Sequence, residues 1–165
     1  MEKINLDDEF VKLIQDNEKI IYKVCSVYVS DENPIADLYQ DVVCNLWRSF
    51  AGFRQECAAS TWIYKVALNT CITGLRKYMK RPQHVSLSAL SAHLMETDRM
   101  DDTIREMYRL IRCLSSLEKA IVLLYLDEHS YQEIADITGL TPTNVGVRLV
   151  RIKEKLKKMS EVNKE

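Results

Sequence analysis

The stretch from residue 130 to residue 155 constrains the fold most, because it contains the start and stop signals of two consecutive helices. Ser130, followed three residues later by Glu133, forms the sequence pattern of a capping box. Gly139 suits the left-handed position that ends a helix, and Thr141 with a following proline suits the start of the next. The stretch therefore predicts a short helix, a tight turn and a longer helix, which is the helix-turn-helix pattern.

The longer helix has an apolar side and a polar, basic side. Apolar residues recur at helical spacing at Val145, Leu149, Ile152 and Leu156. The polar stripe away from them contains Asn144, Arg148, Arg151, Lys155 and Lys158. A helix of this kind can enter the DNA major groove. The alternative is an ordinary helical hairpin with a solvated basic face; the spacing of the small Ala135, the turn glycine and Val145 favours the DNA-binding interpretation.

The composition predicts a helical protein with one domain or two small ones. The chain has 165 residues, 47% of them hydrophobic, with only 4 glycines and 3 prolines. This is enough apolar surface for a core, and the shortage of turn residues favours helices. No apolar run reaches membrane-spanning length, and the polar, acidic N-terminus predicts no secretory signal and no membrane insertion.

Cysteine and histidine spacing predicts no metal site. The five cysteines form no Cys-x-x-Cys pair, and the three histidines complete no ligand spacing. We expect the cysteines to be small core residues in a reducing cytoplasm. Neither a phosphate-binding glycine loop nor a nucleophile–base arrangement is recognisable, so we expect no cofactor and no enzymatic activity.

Charge is distributed unevenly although the net charge is only −1. Residues 2–41 are dominated by Asp and Glu, whereas no acidic residue occurs between Cys57 and Met95. The C-terminal helix is basic again. Two basic blocks separated by acidic residues indicate two nucleic-acid surfaces rather than one.

The N-terminal half predicts three helices. Apolar periodicity predicts one helix over residues 6–29, capped by Asp7 or Asp8, and a second over residues 35–50 with Leu38 on its buried side. The other face of the second helix groups four polar residues, Asp37, Gln40, Asp41 and Arg48. A loop follows over residues 51–60.

The third helix, predicted over residues 61–80, has an apolar side and a narrow basic arc. The arc contains Trp62, Lys65, Asn69, Arg76 and Lys80. An ordinary solvated helix face is an equally good interpretation of this helix alone. Residues 82–102 have weak periodicity and predict a linker, and two further helices over residues 103–114 and 117–126 precede the helix-turn-helix.

In this order, the segments resemble an extracytoplasmic-function sigma factor of the sigma-70 family, a subunit of bacterial RNA polymerase. The resemblance is carried by residues 36–47 (ADLYQDVVCNLW), 60–69 (STWIYKVALN) and 130–145. It implies an all-α chain of two small helical domains, region 2 over residues 1–81 and region 4 over residues 103–165, joined by the flexible linker.

The resemblance also implies three binding surfaces. The surface for core polymerase, against the clamp coiled coil of the largest subunit, is expected at Asp37, Leu38, Gln40 and Asp41. The surface for the promoter −10 element is expected at Arg54, Gln55, Trp62, Lys65, Asn69, Arg76 and Lys80. The surface for the −35 element is expected at Thr141, Thr143, Asn144, Val147, Arg148, Arg151 and Lys155. Further implied partners are the polymerase flap and an anti-sigma factor.

Two positions depart from the family pattern. Gly146 stands where the family often has Lys or Arg, which removes one contact to DNA, and Gly74 stands near a place where an acidic residue is common. Promoter sequence therefore cannot be transferred from relatives. The alternative function is a helix-turn-helix regulator that never binds core polymerase, although the N-terminal half has no ligand-pocket signature to support it.

Overall fold

The computed structural model describes residues 5–78 and 101–164, with the backbone alone for residues 75–78, and its regular elements are all helices. The chain divides into two compact units, which we describe separately. The helices are α1 Leu6–Asp16, α2 Glu18–Tyr28, α3 Ile35–Phe50 and α4 Ala59–Tyr78 in the first unit, and α5 Asp102–Arg112, α6 Ser116–Leu126, α7 Tyr131–Thr138 and α8 Pro142–Val162 in the second. The predicted class, two small all-α domains, is confirmed.

In the first unit α2, α3 and α4 pack against one another, and α1 lies against α3. Among the described residues its largest fully buried side chains are Tyr28, Tyr64, Ile21, Leu38, Leu46 and Ile63. They come from all three central helices. The core therefore fixes the outward faces of α3 and α4, which carry most of the predicted contact residues.

The prediction of one helix over residues 6–29 is wrong, because the helix breaks at Asn17. Asn17 has φ −120° and ψ 14°, and its side-chain amide donates to the Leu13 carbonyl at 2.9 Å. Asparagine side chains compete with helical backbone hydrogen bonds in this way. The predicted caps are also wrong: the N-cap is Asn5, and Asp7 and Asp8 lie in the first turn of α1.

The other predicted boundaries shift little. Helix α3 spans the predicted residues 35–50, and α4 begins two residues before the predicted 61. The predicted end of α4 and linker residues 82–100 lie outside the described residues. The last two linker positions belong to the start of α5: Asp101 is its N-cap and accepts a hydrogen bond from the Thr103 backbone N–H.

The second unit confirms the local signals of the helix-turn-helix. The Ser130 hydroxyl accepts from the Glu133 backbone N–H at 3.1 Å, and the Glu133 carboxylate accepts from the Ser130 N–H at 2.8 Å. Gly139 has φ +77°, the left-handed conformation that ends α7. The Thr141 hydroxyl accepts from the Asn144 N–H at 3.2 Å, and Pro142 is the first residue of α8.

Helix α8 packs on α5, α6 and α7, so it is the central helix of the second unit. Its residues Val145, Leu149 and Ile152 are buried as predicted, whereas Leu156 is only half-buried. Ile104 and Met107 of α5 are 42% and 37% exposed, although both are apolar. The first turns of α5 therefore contribute little to the core.

The expectation that all cysteines are core residues is wrong for three of them. Cys25 and Cys71 are buried, whereas Cys44, Cys57 and Cys113 are exposed. The exposed ones lie at helix ends, in the loop or on outward helix faces. Among the described residues, no group of three or more His, Cys, Asp or Glu side chains is arranged to hold a metal ion, and none of the described helices has the length and apolar character needed to cross a membrane.

Candidate functional site

The outward face of α3 presents three of the four residues expected to bind core polymerase. Asp37, Gln40 and Asp41 are exposed, whereas Leu38 is only 1% exposed. The assignment of Leu38 as a contact residue is therefore wrong: its side chain belongs to the core and anchors α3 from beneath. The remaining three residues give a polar, acidic surface.

The loop between α3 and α4 borders an open hollow of about 620 Å³. Its lining residues are Arg48, Ser49, Gly52, Phe53, Arg54, Glu56, Cys57 and Trp62. Arg54 and Gln55 are exposed, and Gln55 has φ +56°. A non-glycine residue rarely adopts this left-handed conformation, and such residues concentrate at binding sites. The loop is thus a shaped concavity rather than a simple connection.

A row of aromatic rings supports this loop. Trp62 stacks on Phe53 with ring centroids 4.5 Å apart and lies 6.5 Å from Phe50. Phe50 and Trp47 both make edge contacts with Phe10 of α1, at 5.3 and 4.9 Å. Trp62 is less exposed than Lys65 on the same helix, because its ring is half-buried against the loop. It forms one wall of the hollow.

The basic arc of α4 is described only in part. Lys65 and Asn69 are exposed on it. The side chain of Arg76 and the whole of Lys80 lie outside the described residues, so their expected roles stay predictions.

A second hollow of about 460 Å³ lies between α3 and α4, beside the first. Its lining residues are Asp41, Cys44, Asn45, Arg48, Ser49, Val66, Asn69, Thr70, Thr73 and Gly74. Arg48 and Ser49 line both hollows. Sequence reasoning placed Arg48 on the polar face of α3 but gave it no role. Its position in the last turn of α3, next to the loop, was the available signal.

In the second unit the first turns of α8 carry the expected −35 contacts. Thr141, Thr143, Asn144 and Val147 are exposed, and Arg148 is half-buried. The Arg148 Nε donates to Asn144 Oδ1 at 3.0 Å, so the two side chains form one polar unit. Arg151 is exposed one turn further along.

Lys155 is not a free cation. Its Nζ lies 3.1 Å from Glu118 Oε2, and the same oxygen accepts from the Ser115 backbone N–H at 2.9 Å. These contacts hold the pKa of Glu118 below its usual value, first through the Ser115 N–H and then through Lys155. Lys155 thus ties α8 to the N-terminus of α6.

Gly146 faces the preceding helix. A Cβ on Gly146 would lie 3.3 Å from Cε2 of Tyr131, which is a tight contact. The space at this position is taken by the Tyr131 ring.

Two buried titratable groups of the first unit, Tyr28 and Cys71, have raised pKa values. Burial raises the pKa of the Tyr28 hydroxyl well above its usual value. A hydrogen bond with Cys25, followed by burial, raises the pKa of the Cys71 thiol in the same direction. Neither group is available as a nucleophile at neutral pH.

Two family models match these two units in chain order. The model described as "Sigma-70 region 2" matches residues 13–81, and "Sigma-70, region 4" matches residues 104–156. The ECF RNA polymerase sigma-E factor of Haemophilus influenzae is 28% identical over 170 aligned positions, covering 93% of this chain and 89% of the relative. The Escherichia coli protein of the same name is 26% identical, covering 93% and 88%. The chain belongs to the sigma-70 family, in its extracytoplasmic-function group.

Solved structures share the fold of this sigma factor. The sigma factor RpoE of Bartonella quintana, solved with the anti-sigma factor NepR, matches with a TM-score of 0.71 at 16% identity, covering 93% of this chain and 98% of that one. CnrH, solved with the cytosolic domain of CnrY, matches with a TM-score of 0.65 at 19% identity, covering 94% and 90%. The resemblance predicted from the sequence is confirmed.

Proposed function

We propose that this sigma factor binds core RNA polymerase, directs it to specific promoters and helps to hold the −10 element open. The observation that carries the proposal is the match of region 2 and region 4, in order, to two helical units that each present an outward polar surface. The alternative of a regulator that acts without polymerase is not favoured, because region 2 is present in the first unit.

The core-binding surface is the outward face of α3. Asp37, Gln40 and Asp41 supply two carboxylates and an amide. Such groups suit an arginine-rich partner helix, because guanidinium groups pair with carboxylates in two-bond geometry. We assign this face to the clamp coiled coil of the largest polymerase subunit and region 4 to the polymerase flap.

The −10 surface is the loop hollow together with the exposed arc of α4. An unstacked base needs a shaped pocket and hydrogen-bonding groups for its edge. The hollow offers an aromatic wall at Trp62 and a cation at Arg54. Gln55 is exposed in the same loop, and Lys65 and Asn69 continue the polar surface along α4. Single-stranded DNA is bound by such combinations of aromatic rings and cations.

The −35 surface is the N-terminal part of α8. In a helix-turn-helix the first residues of the second helix meet base edges. Thr143, Asn144, Val147 and Arg148 occupy these turns, and Thr141 caps the helix beside them. Arg151 is placed one turn later, where cations contact phosphates.

The protein would act by binding, with no reaction of its own, and in the cytoplasm, where its polymerase partner is. An anti-sigma factor is a further proposed partner. Sigma factors of the same fold have been solved with proteins of this kind.

The experiment is in vitro transcription with purified core polymerase across a fragmented genomic library. A sigma factor should give start sites downstream of shared −10 and −35 sequences and should co-elute with core. Specific DNA binding without core, and no core-dependent transcription, would instead identify a regulator.

The −10 assignment is tested by permanganate footprinting of the melted strand. The variant with Arg54→Ala and Asn69→Ala should bind core polymerase normally. The holoenzyme formed with it should melt the promoter less than wild-type holoenzyme does. Normal melting by this variant would remove the assignment.

A further inference from the structure

Arg48 stands at the boundary between the two hollows of the first unit. It lies in the last full turn of α3 and, with Ser49, lines both the loop hollow and the α3/α4 hollow. A chain that occupies both hollows must therefore pass this side chain. The two volumes, about 620 and about 460 Å³, are each large enough for the base of a nucleotide.

A polyanion could bind across both hollows only if a cation offset the carboxylates that line them. Each hollow contains one carboxylate, Asp41 in the α3/α4 hollow and Glu56 in the loop hollow. Both would repel a polyanion. Among the described residues, the Arg48 guanidinium has no carboxylate within ion-pairing distance, so its charge is available to an outside partner.

A directed chain of hydrogen bonds positions Arg48. The Thr70 hydroxyl donates to the Val66 carbonyl at 2.7 Å and accepts from Asn45 Nδ2 at 3.0 Å. This fixes the orientation of the Asn45 amide, so that its Oδ1 accepts from Arg48 Nη1 at 3.4 Å. Thr70 is only 9% exposed, which makes the base of this chain part of the α3/α4 interface.

We propose that Arg48 binds a backbone phosphate of the melted −10 strand between two nucleotides, one seated in each hollow, and that Asn45 and Thr70 are positioning residues for it. The proposal rests on the proposed function and deepens its −10 surface. A planar guanidinium donates two parallel hydrogen bonds to a phosphate, and a pre-oriented one loses less conformational freedom on binding.

The test measures the affinity of holoenzyme for a forked promoter DNA whose −10 element is single-stranded, across a range of salt concentrations. Loss of one phosphate contact to single-stranded DNA should reduce the slope of log affinity against log salt by about 0.7. Arg48→Ala should show this reduction and bind about tenfold more weakly at low salt. Lys12→Ala, which removes a charge from α1 outside both hollows, is the matched control and should change neither.

Four further variants separate a positioning role from a role in folding. Arg48→Lys should keep the salt slope and recover part of the affinity. Lysine retains the charge but cannot donate the two parallel hydrogen bonds of a guanidinium. Thr70→Val should also keep the slope and lose part of the affinity, whereas Thr70→Ser, which retains the hydroxyl, should restore it. Asn45→Ala, at a less buried position, gives the same test if Thr70→Val lowers thermal stability.

The outcomes distinguish this inference from the function on which it depends. If wild-type holoenzyme binds the fork tightly but Arg48→Ala matches Lys12→Ala in slope and affinity, the role of Arg48 is wrong and the proposed function stands. If Arg48→Ala reduces the salt slope but the Asn45 and Thr70 variants match wild type, then Arg48 contacts the phosphate and the positioning role of Asn45 and Thr70 is wrong. If wild-type holoenzyme does not bind the fork, the proposed function fails and the inference with it.

Discussion

At the scale of single residues, the start of α8 depends on a pair rather than on separate side chains. The Arg148 Nε donates to Asn144 Oδ1 at 3.0 Å, one turn apart on the same helix. Because the amide oxygen of Asn144 accepts from Arg148, the NH₂ group is the part of the amide that can donate to a base. The pair therefore presents donors on both side chains, which suits the acceptor-rich edge of guanine in the major groove.

We predict that Asn144→Ala and Arg148→Ala change which −35 sequences are used, each costing about 1–3 kcal/mol at the base it contacts. Because the side chains touch, the double variant should cost less than the sum of the single ones. The measurement is transcription from a library with a randomised −35 element.

The control is Lys157→Ala, an exposed cation two turns beyond Leu149 on α8. It should weaken all promoters alike or leave them unchanged. The opposite result would be a shift in sequence preference for Lys157→Ala, with Asn144→Ala and Arg148→Ala lowering transcription from every promoter by the same factor. In that case α8 contacts DNA through another part of its surface.

At the scale of helices, α4 contains a glycine that its surroundings do not require. A Cβ on Gly74 would meet Asn33 Nδ2 at 3.8 Å and Leu38 Cδ2 at 3.9 Å, which are ordinary contacts. Gly74 lies inside the helix Ala59–Tyr78, where glycine costs about 1 kcal/mol relative to alanine.

We therefore predict that Gly74→Ala stabilises the first unit by about 1 kcal/mol and raises its melting temperature by about 4–8 °C. Gly139→Ala is the contrasting variant: at φ +77° the same added methyl should destabilise the second unit. Thermal unfolding followed by circular dichroism measures both. Destabilisation by Gly74→Ala would mean that α4 cannot accept a side chain there.

The N-terminus of α6 should make the second unit sensitive to acid. Contacts from Ser115 and Lys155 hold the pKa of Glu118 below its ordinary value of 4.5. A depressed carboxylate pKa contributes stability that is complete above the unfolded pKa and is lost as pH falls through the folded pKa.

We predict that stability of the second unit falls as pH drops below about 4.5 and that Glu118→Gln removes part of this fall. The measurement is the melting temperature of both proteins at about pH 7 and about pH 3. Glu154→Gln, an exposed carboxylate on α8, is the control and should follow the wild type. Parallel curves for Glu118→Gln and wild type would contradict the prediction.

The sequence predicts helices well where their ends are encoded locally. Ser130, Glu133 and Gly139 are read directly as the boundaries of α7, since capping involves residues three or four apart. The break at Asn17 was missed because the apolar periodicity continues across it. The periodicity correctly placed Leu38 on the buried side of α3, whereas the resemblance assigned it to a contact surface. The partial burial of Trp62 depends on the loop and on the aromatic row, whose members are distant in sequence.

At the scale of the whole molecule, the proposed function assigns the −10 element to the first unit and the −35 element to the second. The first contains the acidic α3 face, the hollows and the arc of α4, and the second contains α8 with its paired Asn144 and Arg148. Sequence reasoning assigned each proposed surface to a helix, and these assignments stay predictions. It could not identify the hollows or Arg48 as their boundary, because a concavity exists only after α3, the loop and α4 have packed.

We predict that charge reversal at the α3 face separates core binding from folding. Asp37→Lys and Asp41→Lys should weaken association with core polymerase, more strongly together, because both carboxylates face outward on one helix. Helical content should remain, since neither side chain is in the core. The measurement is co-elution with core and circular dichroism.

Reversal of Asp31, an exposed carboxylate before α3, is the control and should leave core binding unchanged. Unchanged affinity in the Asp37, Asp41 and double variants would place the core-binding surface elsewhere.

The exposure of the cysteines provides natural labelling positions for spectroscopy. Cys57 lies in the loop hollow and Cys44 in the α3/α4 hollow, whereas Cys25 and Cys71 are buried. With Cys113 and one hollow cysteine replaced by serine, a thiol-reactive fluorophore would attach to a single chosen hollow without any introduced cysteine. The order in which two such fluorophores respond to promoter DNA would then show which hollow a nucleotide enters first.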